Sequence, residues 1–76
     1  MRVRRVVSQV FRVPIDEVDD DTSPVTVSSW DSIGQLDLVT ALEEEFSIKF
    51  SPEEIMEMNG VGDIRAVLDR RRIDVR

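Results

Sequence analysis

Seventy-six residues are enough for one domain, residues 1–76, with one modest core; a domain this small buries only about 60% of the surface its unfolded chain exposes. The chain has no cysteine, no histidine and no tyrosine. That excludes a disulfide framework, a thiolate metal site, a thiol nucleophile and the commonest general base. The net charge of −6 is unevenly spread: residues 13–60 hold 13 of the 16 acids and one base, Lys49. An acidic middle repels nucleic acid and attracts basic protein surfaces. The arginine clusters, Arg2, Arg4 and Arg5 at one end and Arg70 to Arg72 at the other, carry no interleaved aromatics and read as solvated ends. The longest apolar run falls far short of the roughly 20 residues that span a bilayer, and no secretory signal pattern opens the chain. The expectation is a monomeric cytoplasmic protein with no membrane insertion and no nucleic-acid partner.

In chain order, Val3, Val6, Val7, Val10 and Phe11 recur with the spacing of one apolar helix face, and Pro14 is expected to end that helix. A long connection follows, with Ile15, Val18, Val25 and Val27 as spaced apolar anchors. Asp19, Asp20 and Asp21 lack the alternating acids, central glycine and closing glutamate of a calcium-binding loop. A second helix is predicted from Ser32 to Phe46. A third begins at Ser51-Pro52-Glu53-Glu54, where Ser51 and Glu54 form a capping box and Pro52 takes the first helical position. Asn59-Gly60 keeps it short, and Val61, Ile64, Val67 and Leu68 mark a fourth. The predicted fold is all-α: a four-helix bundle with a short third helix and a long loop between helices 1 and 2.

The second helix carries the most information. Leu38, Ala41, Leu42 and Phe46 share one face, with Val39 at its margin, and form the core stripe. Ile33, Leu36 and Thr40 fall on the opposite face among Asp37, Glu43 and Glu44, the pattern of a docking strip with an apolar centre and acids that guide a basic partner. Ser32 stands where that helix starts. Ser32 to Gln35 matches a capping box, and Asp31 is an alternative cap. With no histidine and no Gly-x-Ser-x-Gly elbow, a serine hydrolase is disfavoured. A modification site is favoured over it, because a phosphodiester at a helix N-terminus meets unpaired backbone N–H groups.

Asp31-Ser32-Ile33, followed by Leu36-Asp37-Leu38-Val39-Thr40-Ala41-Leu42-Glu43-Glu44-Glu45-Phe46, closely resembles the acyl carrier protein family. The similarity extends upstream through Val13, Glu17-Val18 and Thr22-Ser23, and downstream through Phe50, Ser51 to Glu54 and Val61. The resemblance implies a four-helix bundle. It implies that Ser32 receives 4′-phosphopantetheine from coenzyme A, transferred by a holo-acyl-carrier-protein synthase, a phosphopantetheinyl transferase. It implies that Asp31 assists that transfer, and that Ile33, Leu36, Asp37, Thr40, Glu43 and Glu44 dock acyl-loading and acyl-transfer enzymes. The protein would then be no enzyme and hold no metal of its own, but would present acyl thioesters to partners in polyketide, fatty-acid-like or hybrid peptide biosynthesis.

Three positions depart from the family's housekeeping pattern. Gly34 replaces an acid, Ile33 a leucine and Trp30 a small residue. Trp-Asp-Ser followed by glycine looks more like discrete, specialised carriers. Gly34 removes a charge near the arm and costs about 1 kcal/mol of helix propensity relative to alanine. Trp30 is expected to seal the loop over the bundle. The competing reading is an unmodified helical adaptor in which Ser32 only caps a helix.

Overall fold

The computed structural model describes residues 2–73. Helices α1 (Arg2–Phe11), α2 (Ser32–Phe46), α3 (Pro52–Glu57) and α4 (Val61–Arg70) follow one another, with a 3₁₀ turn at Ile15–Glu17. Among the described residues no strand forms, as the periodicity predicts. No helix is long and apolar enough to cross a membrane among the residues described. α1 lies against both α2 and α4, and α3 lies against α4. Val3, Val7, Leu38, Leu42, Met58, Ile64 and Leu68 meet in the centre, all fully buried.

α1 ends one step earlier than Pro14 requires. Arg12 takes a left-handed conformation at φ 56°, and the backbone N–H of Val13 donates to the Ser8 carbonyl at 3.2 Å. Pro14 instead leads into the 3₁₀ turn. Of the four expected loop anchors, Val18 and Val27 are buried, but Ile15 is 44% and Val25 93% exposed. The cause at Val25 is a tight turn. Ser23 accepts from the amides of Thr26 and Val27 through its carbonyl, and Pro24 supplies the bend, so Val25 rides on the tip.

The arginine ends are not simply solvated. Arg2 donates to the Glu45 carboxylate at 2.8 Å and to its carbonyl at 2.6 Å, and lies over the Phe46 ring. Arg4 donates to the carbonyls of Val18 and Ile15 at 2.7 and 2.9 Å, the second of which also accepts from the Val18 amide at 3.1 Å within the 3₁₀ turn. Arg71 donates to the Lys49 carbonyl at 2.7 Å and pairs with Glu54, and Arg70 pairs with Glu57. Each reaches an acceptor that folding places nearby, which composition does not reveal. Arg5 and Arg72 remain exposed, as expected.

The predicted capping box forms at α3: the Glu54 amide donates to Ser51 Oγ at 3.2 Å, and the Ser51 amide to Glu54 Oε1 at 2.9 Å. α4 has no side-chain cap at Gly60. Its first amides are satisfied from the long loop, Val61 donating to the Thr22 carbonyl at 2.9 Å and Gly62 to that of Asp20 at 3.1 Å.

Candidate functional site

Asp31 and not Ser32 caps α2. Its backbone is extended and its Oδ1 accepts from the Gly34 amide at 2.8 Å. Of the two caps the sequence offers, the Ser32 to Gln35 box does not form, because Asp31 takes the N-cap position and Ser32 lies inside the helix. Ser32 therefore occupies the first helical position, exposed to solvent, with its hydroxyl spared the capping role. Asp31 serves one N–H, and the amides of Ser32 and Ile33 have no partner within the helix. No acid stands in the first turn of α2. The Asp31 carboxylate already takes part of the positive end of the helix dipole, and the two free amides remain for a further anion, a placement typically worth about 0.3–1 kcal/mol at a surface.

Five of the six residues expected on the outer face of α2 stand in the open. Ile33 and Leu36 are 72% and 62% exposed, and Asp37, Thr40 and Glu44 are exposed beside them. Glu43 is set apart. Its Oε2 accepts from the Phe50 amide at 2.9 Å, Lys49 lies 3.7 Å from its Oε1, and its side chain is only 18% exposed. That carboxylate fastens the loop after α2. On the opposite side Leu38, Val39 and Leu42 are buried, while Ala41 and Phe46 are half-buried at the edge of the core.

Between the start of α2 and α3 runs a groove of about 370 Å³, lined by Pro24, Trp30, Asp31, Ser32, Gln35, Ile55, Met56, Met58 and Asn59. Trp30 seals the loop as expected: it is 3% exposed and stacks on Phe11 with ring centroids 5.2 Å apart. Two residues of this region have roles that local pattern does not disclose. Gln35 matched a cap but bridges Trp30 to α3. Gly34 looked like a lost charge, yet it is buried, and a Cβ there would lie 2.1 Å from the Ser29 carbonyl oxygen. A lone glycine inside a helical pattern was the available signal of such close approach.

An exposed serine at the first turn, beside unpaired amides, fits a serine-linked phosphodiester. The phosphopantetheine attachment site family model matches residues 2–68. The acyl carrier protein of Buchnera aphidicola subsp. Schizaphis graminum (strain Sg) is 27% identical over 60 residues, covering 79% of this chain and 76% of that protein. The non-reducing polyketide synthase CTB1 of Cercospora nicotianae is 31% identical over 65 residues, 86% of this chain but only 3% of that much longer protein. With nearly its whole length matched, the chain belongs to the phosphopantetheine attachment site family, whose prosthetic group is 4′-phosphopantetheine.

Proposed function

We propose that Ser32 is the attachment point, and that the chain is a non-catalytic carrier of acyl groups for enzymes that dock on α2. The observation that supports this best is the exposed Ser32 hydroxyl at the first position of α2, with the capping duty taken by Asp31. When bound, the group supplies a thiol that holds an acyl chain as a thioester, a nucleophile this cysteine-free sequence lacks. The chain's own residues position and present. The first-turn amides of α2 face the phosphodiester, and the helix dipole favours its charge. Asp31 fixes the first turn through Gly34 and so fixes where the serine oxygen stands. Ile33 and Leu36 offer apolar contact to a partner, while Asp37 and Glu44 draw its basic surface closer. Tethering replaces a free encounter between intermediate and enzyme with a local one.

Intact-mass measurement after incubation with coenzyme A, magnesium and a broad-specificity phosphopantetheinyl transferase tests the assignment. The wild-type chain gains one phosphopantetheine, and Ser32→Ala gains none. A folded wild type that stays unmodified with several transferases would instead mark an adaptor.

A further inference from the structure

α3 has six residues, well below the roughly 12–15 at which an isolated helix becomes stable in water, so its position depends on what holds it. It rests on α4, whereas α2 rests on α1. The polar tie between α2 and α3 is the side chain of Gln35. Its Nε2 donates to the Ile55 and Met58 carbonyls, both at 3.1 Å, groups in and just after the last turn of α3. Its Oε1 accepts from Trp30 Nε1 at 2.6 Å. Trp30 is itself immobilised by its stack on Phe11. Both amide hydrogens and the amide oxygen of Gln35 are thus committed, and its orientation is dictated from both sides. Trp30 and Met58, 3% and 1% exposed, line the groove beside Ser32 and close it off from the core.

We propose that Gln35 is a positioning residue: braced by Trp30, it locks α3 to α2 and keeps the groove beside Ser32 shallow. The cargo of an arm on Ser32 then rides on the surface and does not enter between the helices. The part about cargo rests on the attachment proposed above; the lock itself does not.

Two measurements separate these layers. The first is amide hydrogen exchange on the unloaded protein. Gln35→Leu keeps the bulk and removes both donors, so exchange at residues 55–58 accelerates by about 10- to 100-fold, as expected for two lost hydrogen bonds. α1 and α4 keep wild-type rates. Acceleration spread evenly over the chain, or none at all, overturns the lock. Trp30→Phe keeps the ring stack and removes the indole donor, so it gives a smaller acceleration confined to the same residues, and it decides the matter if Gln35→Leu does not fold. The second measurement loads a coenzyme A analogue whose short alkyl chain ends in a solvatochromic dye, with intact mass read first. Failure to load counts against Ser32 as the attachment point and leaves hydrogen exchange to judge the lock. In loaded wild type the dye emits as it does in water, and in Gln35→Leu its emission shifts to the blue. Blue-shifted emission already present in wild type overturns surface transport.

Discussion

A methyl group at Gly34 would meet the Ser29 carbonyl oxygen at 2.1 Å and Phe11 Cε1 at 2.9 Å. The first of these is backbone and cannot rotate aside, so Gly34→Ala must push away the segment that delivers Trp30. Alanine gains up to about 1 kcal/mol of helix propensity. Overpacking of this kind costs on the order of 1–3 kcal/mol, and a backbone clash belongs at the upper end. The expected net effect is destabilisation. In a domain of this size each kcal/mol lowers Tm by roughly 4–8 °C, readable by circular dichroism. Trp30 is the single tryptophan, so its emission should move to the red as its burial loosens. A higher Tm for Gly34→Ala would show that residues 28–30 yield freely. The start of α2 at Asp31 and Ser32 and most of its exposed face were legible from local pattern because helix period and capping chemistry are local, though that pattern did not choose between the two caps. Gly34 and Gln35 were not, since their partners lie five to more than twenty residues away and no periodicity encodes them.

α3 is secured at its other end by Glu54, Ser51 and Arg71. Hydrogen bonds from Arg71, and then from the Ser51 amide, hold the Glu54 carboxyl at about 2, against an ordinary value of 4.5. A folded value below the unfolded one means that the contribution is complete above about pH 4.5 and is lost as pH falls toward 2. Urea midpoints between pH 6 and pH 2.5 should therefore fall more steeply for wild type than for Glu54→Gln, and parallel profiles would remove Glu54 from the acid transition. Ser51→Ala takes away the other half of the box and should cost about 1 kcal/mol at neutral pH. The four helices, the capping box and the core face of α2 could be read directly, because each repeats a short-range rule. The turn that puts Val25 on its tip and the folded-back arginines could not. The first depends on backbone closure at Ser23, the second on acceptors such as Glu45 that only the tertiary fold brings to Arg2.

Across the molecule, arginines and Lys49 engage Asp20, Glu43, Glu45, Glu54 and Glu57. Among the described residues, Asp37 and Glu44 form no ion pair, and they flank the exposed Ile33 and Leu36. Both charges therefore stand unneutralised beside the apolar pair on this face of α2. Asp37→Lys combined with Glu44→Lys should slow modification by a phosphopantetheinyl transferase about tenfold at low salt and flatten its salt dependence, with the fold unchanged. Equal low-salt rates would take these acids out of docking. The hydrogen bonds that sew Thr22 and Asp20 to the start of α4 bear on the same encounter from the other side. They anchor the approach to Ser32, as Trp30 and Asp31 do nearer by. If Ser32 is the pivot, as proposed, the mast of this crane is braced on both sides: reach is then set by the length of the boom, and an enzyme farther off than one boom length has to come to the carrier.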